Sequence, residues 1–103
     1  MAPDAETLMR SRYTAFTLDE LDYLLDTWHV STRPSGLEPN GPGVKWLGLQ
    51  VRAHSIQDAD HATVEFVARS RHNGKASRLH ETSRFVREDG LWFYVDGDFV
   101  QKN

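Results

Sequence analysis

The chain has 103 residues, of which 39% are hydrophobic and 26% are charged, and its formal net charge is −3. This composition predicts one globular domain over residues 1–103 and excludes a disordered or fibrous chain. The acidic balance argues against nucleic-acid binding through bulk positive charge, and the lack of cysteine excludes disulfides and thiolate metal sites. No apolar run approaches the roughly 18 residues of a membrane span, and no signal-peptide pattern opens the sequence. We therefore expect a soluble cytoplasmic protein with no membrane contact.

The first part of the chain has the hydrophobic periodicity of two helices. Asp4 is placed to cap a first helix over about Ala5–Phe16. Thr17 and Glu20 have the spacing of a capping box, which predicts a second helix ending near His29.

A long loop follows the predicted helices. Residues 30–43 hold three of the four prolines and three of the seven glycines. The predicted loop of about 14 residues is longer than the roughly 4–6 residues of most connections in compact domains. Whether this loop moves as a lid is a question that the sequence leaves open.

The rest of the chain predicts four strands. Asn73-Gly74 and Asp89-Gly90 separate strand-like runs and are strong signals for tight hairpin turns. The predicted strands cover Val44–Ala53, Ala62–Arg71, Arg78–Arg87 and Leu91–Val100. Helices followed by hairpins indicate an α+β fold, in which N-terminal helices pack on a curved antiparallel sheet.

The hairpins also predict which side chains face the helices. With two-residue turns at both positions, strand alternation assigns eleven residues to one face. They are Ala62, Val64, Phe66, Ala68, Leu79, Glu81, Ser83, Phe85, Trp92, Tyr94 and Asp96. This face is apolar except for Glu81, Ser83 and Asp96, and a β-bulge would move such residues to the other face.

Arg12 lies near the centre of the apolar stripe of the first helix. Because a buried guanidinium stays charged, we predict an interior ion pair with Glu81 or Asp96, with hydrogen bonds from Ser83 or Tyr94. The alternative is that Arg12 extends to the helix edge and the carboxylates lie at the rim. A structural role for the pair is favoured over a catalytic one.

His29, at the expected end of the second helix, has two interpretations. It is a general acid or base at a pocket mouth, or a histidine that interacts with the helix dipole. The remaining histidines lack ligand spacing, so we expect no metal site and no cofactor.

Aromatic and polar residues on these elements predict a cavity between helices and sheet. The candidate binding residues are Arg12, Tyr13, Trp28, His29, Trp46, Phe66, Glu81, Ser83, Trp92, Tyr94 and Asp96. The candidate catalytic residues are His29, Glu81 and Asp96.

Four strings carry a resemblance to a known family. They are LMRSRYTAF at 8–16, TWH at 27–29, VEFVAR at 64–69 and HETSRFVREDGLWFYVDG at 80–97. Together they resemble the YchJ-like bacterial proteins over roughly residues 5–97. The resemblance implies the central nuclear-transport-factor-two-like (cystatin-like) domain, a cone of helices over a curved antiparallel sheet. Many members add a Cys-rich segment and a zinc-binding SEC-C segment, and this sequence matches neither, so no zinc site or catalytic residue carries over.

Two functions of different classes remain open. The first is a binding module for an unknown small molecule or protein, expected as a homodimer and without nucleic acid as a partner. The second is a small cofactor-independent isomerase or dehydratase, in which His29, Glu81 or Asp96 moves a proton in an apolar cavity.

Overall fold

The computed structural model describes residues 2–100 as two helices followed by a four-stranded antiparallel sheet. The elements are α1 (Ala5–Thr17), α2 (Leu21–Asp26), β1 (Val44–Asp58), β2 (His61–His72), β3 (Lys75–Glu88) and β4 (Leu91–Phe99). The strands lie in the order β1-β2-β3-β4, so each hairpin pairs neighbours. The predicted α+β fold is confirmed. Neither helix within residues 2–100 has the length and apolar character needed to cross a bilayer.

The predicted start of α1 is confirmed, because the Asp4 side chain accepts a 2.7 Å hydrogen bond from the Thr7 backbone N–H. The predicted capping box at Thr17 is wrong. Thr17 is the last residue of α1, and Asp19 adopts a left-handed φ of 55° that closes the helix. In this Schellman-type cap, the Glu20 N–H donates to the Ala15 carbonyl at 2.9 Å.

The second helix ends at Asp26 rather than near His29. Its C-terminal extension pairs with the edge of the sheet instead. The Tyr94 N–H donates to the Thr27 carbonyl at 2.8 Å, and the His29 N–H donates to the Tyr94 carbonyl at 2.7 Å. This parallel bridge between Trp28 and Tyr94 satisfies backbone groups that a longer helix would have used.

Both predicted hairpin turns are confirmed. His72 pairs with Lys75, and Glu88 pairs with Leu91. Their central residues all have positive φ: Asn73 52°, Gly74 83°, Asp89 52° and Gly90 79°. These are the conformations that a two-residue turn between twisted strands needs, and they account for the Asn-Gly and Asp-Gly sequences.

The core lies between α1 and one face of the sheet, called the inner face below. Its buried members are Ala5, Leu8 and Met9 of α1 with Ala62, Val64, Phe66, Ala68 and Phe85 of the sheet. The alternation predicted for β2 and β3 is therefore confirmed.

The predicted position of Asp96 is wrong because β4 contains a β-bulge. Phe85 pairs with Tyr94, but its neighbour Arg84 pairs with Asp96, so Val95 is an extra residue in β4. The bulge turns Asp96 to the outer face, where its carboxylate accepts a hydrogen bond from Arg84 Nε.

Candidate functional site

A cavity of about 290 Å³ lies between α1, the loop of residues 30–43 and the inner face of the sheet. Its walls are mainly aromatic and aliphatic. They include Phe16, Trp28, Trp46, Phe66, Leu79 and Tyr94. Arg12, Glu81 and Ser83 contribute polar groups to the wall, and Glu38 and Asn40 of the loop do so at its rim. The cavity therefore has the apolar lining and few polar groups that are typical of a ligand site.

The charged side chain of Arg12 lies at this cavity with only 3% of the residue exposed. Its Nη1 donates to the Leu24 carbonyl at 2.8 Å and to Thr27 Oγ1 at 2.6 Å. The predicted burial is confirmed, but the predicted ion pair is wrong. No carboxylate within residues 2–100 forms an ion pair with Arg12. Neutral acceptors of the α2 region take the place of the expected acids.

Two aromatic rings hold the guanidinium of Arg12. Its central carbon lies 4.6 Å from the ring centroid of Tyr94 and 5.3 Å from that of Trp28. The two rings pack edge to face, with centroids 5.0 Å apart. Burial lowers the pKa of Arg12 to about 10, so the group remains a cation at neutral pH. The cation is thus fixed in place by ring faces rather than by a negative charge.

Glu81 is the acidic group that the sheet contributes to the cavity wall. Its Oε1 accepts a 2.9 Å hydrogen bond from Ser83 Oγ, so the hydroxyl predicted for Arg12 serves Glu81 instead. Gly97 leaves room for this carboxylate, since a Cβ at residue 97 would lie 2.5 Å from Glu81 Oε1. Burial raises the pKa of the Tyr94 hydroxyl, and the charge of Glu81 raises this pKa further.

Asn40 fixes the loop at the rim of the cavity. Its side-chain amide donates to the Phe16 carbonyl at 2.6 Å, and its backbone N–H donates to Asp19 Oδ1 at 2.8 Å. The Trp46 indole donates to Asn40 Oδ1 at 3.3 Å, and Tyr13 packs edge to face on Trp46. Tyr13, Asn40 and Trp46 also line a wider, more open hollow of about 600 Å³ at the surface. That hollow contains no buried charged side chain, so the enclosed cavity is the stronger candidate site.

Two of the candidate catalytic residues lie away from this cavity. His29 Nε2 lies 2.6 Å from Glu88 Oε2, and its Nδ1 lies 2.7 Å from Ser31 Oγ. His29 and Asp96 line a shallow surface depression and are absent from the cavity wall. The early end of α2 and the bulge at Val95 direct these two side chains elsewhere. Of the three predicted proton-transfer groups, the cavity therefore retains only Glu81.

The other predicted binding residues divide in two groups. The cavity brings together Arg12, Tyr13, Trp28, Trp46, Phe66, Glu81, Ser83 and Tyr94. Trp92 packs against the core outside the cavity wall, and its buried indole N–H has no hydrogen-bond partner within residues 2–100.

The sequence interpretation missed several residues that build the site. Leu79 was on the predicted inner face and could have been included on that ground. Asn40 and Glu38 carried no signal, because loop geometry alone brings them to the rim. Thr27 contacts Arg12 only because the chain turns at the end of α2. Among residues 2–100, no three His, Asp or Glu side chains are grouped to hold a metal ion.

Comparisons with known proteins agree with this fold. The family described as "YchJ, middle NTF2-like domain" matches residues 4–97. A UPF0225 protein of Bordetella pertussis is 70% identical over 97 residues, which cover 94% of this chain and 73% of that protein. A UPF0225 protein of Polaromonas naphthalenivorans is 68% identical over 97 residues, covering 94% of this chain and 71% of that protein.

Solved structures are similar as well. A SEC-C motif containing protein from Rhodopseudomonas palustris aligns with a TM-score of 0.82 and 30% identity, covering 96% of this chain and 80% of that one. A SEC-C motif containing protein from Psychrobacter arcticus aligns with a TM-score of 0.70 and 25% identity, covering 100% of this chain and 65% of that one. The fold is thus that of the NTF2-like α+β domains. The chain belongs to the YchJ-like (UPF0225) family, as the sequence resemblance predicted.

Proposed function

We propose that this domain binds a small molecule in the cavity between α1 and the inner face of the sheet. The observation that carries the proposal is the buried guanidinium of Arg12, which meets the cavity without a carboxylate partner among residues 2–100. Removing a charge from water without pairing it costs several kcal/mol, even after the surroundings relax. A ligand that supplies the missing partner for the guanidinium would explain why a charged residue lies at this position, which packing alone does not explain.

The enclosing walls also support the proposal. Trp28, Trp46 and Phe66 offer aromatic surface to a bound molecule, while Asn40 holds the rim of the loop in one position. A pre-formed site of this kind loses little conformational entropy on binding.

The alternative function, a cofactor-independent isomerase or dehydratase, has less support. His29 was its proposed acid or base, and this side chain is hydrogen-bonded to Glu88 outside the cavity. Glu81 and the Tyr94 hydroxyl lie in the cavity wall, and Glu38 and Tyr13 also line the cavity. The enzyme proposal would therefore need a mechanism based on these groups rather than on His29.

A thermal-shift screen of a metabolite library tests the binding proposal, because a ligand specific for the folded state raises its melting temperature. Leu79→Trp should narrow the cavity, because Leu79 lines it, and Thr82→Trp places a tryptophan on the outer face of the same strand as a matched control. We expect ligands that stabilise the unmodified chain and Thr82→Trp but not Leu79→Trp. Ligands that stabilise all three equally, or a screen without any ligand, would contradict a binding role for this cavity.

The assembly and the compartment stay predictions. We expect a homodimer in the cytoplasm, and the alternative partner class is a protein rather than a small molecule. Light scattering on the purified chain at several concentrations measures the assembly directly, and a monomer throughout would contradict the dimer.

A further inference from the structure

We infer that the ligand of this cavity is a small organic carboxylate whose apolar body carries a hydroxyl or amino group at its other end. The inference rests on the proposed binding function and adds the chemical class of the ligand. Three features of the wall carry it: the free donors of Arg12, the free acceptor of Glu81 and the apolar surface between them.

The hydrogen bonds of Arg12 indicate that one end of the ligand is a carboxylate. Nη1 is engaged by Leu24 and Thr27, whereas Nε and Nη2 have no protein acceptor within residues 2–100. These two nitrogens present the donor fork that binds a carboxylate through two parallel hydrogen bonds. The ring faces of Trp28 and Tyr94 already hold the guanidinium, so it needs little ordering when the anion arrives.

The hydrogen bonds of Glu81 indicate that the other end of the ligand carries a hydrogen-bond donor. Glu81 Oε1 accepts from Ser83, and Oε2 has no donor within residues 2–100. An ionised carboxylate only accepts hydrogen bonds, so its ligand partner must be a hydroxyl or amino group. Glu81 would also repel a second anionic group.

The net charge of the wall argues against phosphorylated ligands. Arg12 is the cation of the wall, while Glu38 and Glu81 are acids. The single guanidinium can balance one negative charge, so a monocarboxylate is matched, whereas the second charge of a phosphate dianion has no cation in the wall and is repelled by the two acids. The volume of about 290 Å³ is at the lower end of known ligand sites, which suits a body about the size of one ring.

Calorimetric titration with three one-ring probes tests the inference. 4-Hydroxybenzoate has both groups, 4-hydroxybenzamide replaces the carboxylate by a neutral amide, and benzoate lacks the hydroxyl. We expect 4-hydroxybenzoate to bind tightest. The amide should bind at least about tenfold more weakly, since it loses the charge-assisted pair, and benzoate should bind severalfold more weakly.

Two variants test whether Arg12 is responsible for the preference for the acid over the amide. Arg12→Met should abolish the preference for acid over amide, and Arg84→Met, which removes an arginine of the outer face, should leave this preference unchanged. The acid–amide comparison on the unmodified chain needs no variant to fold.

The outcomes separate the two proposals. Equal affinity for acid and amide would overturn the carboxylate inference while leaving small-molecule binding intact. Binding of none of the three probes would also overturn this inference, and the metabolite screen then decides the binding function independently.

Discussion

Burying the charged side chain of Arg12 opposes the folding of a small domain. The desolvation of its guanidinium costs several kcal/mol. Its contacts with Tyr94 and Trp28 return about 2 kcal/mol each when desolvated, and hydrogen bonds of charged donors add roughly 1.5–3 kcal/mol. These terms have opposite signs, so the net contribution of Arg12 to stability is smaller than the individual terms suggest. Its position is better explained by binding than by folding.

This balance predicts how Arg12→Met affects stability. A methionine of similar length removes the desolvation cost but leaves the Leu24 carbonyl with the longer 3.4 Å hydrogen bond from Thr27 Oγ1 in place of the one from Arg12. We expect the free energy of unfolding to change by less than about 2 kcal/mol, because replacing buried ionic groups by apolar ones is often neutral or better. Urea denaturation of both proteins measures this difference in the free energy of unfolding. A loss well above that value would show that Arg12 is chiefly structural.

Asp4 allows a test at a single helix cap. The Thr7 backbone N–H lowers the pKa of the Asp4 carboxyl below 3.8, so the charged form is preferred in the folded state. Its stabilisation is therefore present above pH 3.8 and is lost as the pH falls through the lower folded pKa. We expect Asp4→Ala to cost about 1 kcal/mol at neutral pH.

The difference between Asp4→Ala and the unmodified chain should shrink in acid, and Asp4→Asn should keep most of the cap. Urea denaturation at both pH values measures this. An equal loss in acid and at neutral pH would argue against the charged cap.

At the level of elements, Gly97 of β4 follows the bulge and packs closely against Glu81, which lines the cavity. A Cβ at this position would lie 2.5 Å from Glu81 Oε1 and 2.9 Å from the Thr82 carbonyl. We expect Gly97→Ala to destabilise the fold by about 1–3 kcal/mol, as overpacking does, and to displace Glu81. Gly36→Ala is the matched control because a Cβ there meets nothing within 4 Å. Equal unfolding free energies for the two variants would contradict this packing.

The element predictions that are confirmed rest on local signals, although the equally local capping-box spacing at Thr17 gave a wrong prediction. The Asp4 cap and both hairpin turns depend on residues adjacent in the chain, and these predictions are confirmed. The end of α2 is tied to pairing between residues 27–29 and β4, far along the chain, and the bulge at Val95 is set in the register between β3 and β4. Nothing in the local pattern could reveal them.

At the scale of the whole molecule, the sheet separates the cavity from the side chains of His29 and Asp96. Strand alternation predicted the part of the cavity wall that β2 and β3 form, because these strands pair without a bulge between them. It did not predict that Arg12 lacks an acid, since that expectation assumed every buried charge is paired for stability. The site departs from this rule, as functional sites often do.

The separation predicts that His29→Gln and Asp96→Asn each leave the affinity for 4-hydroxybenzoate unchanged within about twofold, because distant sites act independently. Calorimetric titration measures it. A large loss in either variant would instead link the surface depression to binding.

The most direct measurement follows the Nε–H resonance of Arg12 by NMR during titration with 4-hydroxybenzoate. If the guanidinium binds the carboxylate, this resonance shifts and saturates together with the indole resonances of Trp28 and Trp46. A resonance that stays in place while the probe binds elsewhere, or while the indoles alone respond, would contradict recognition of the anion by Arg12.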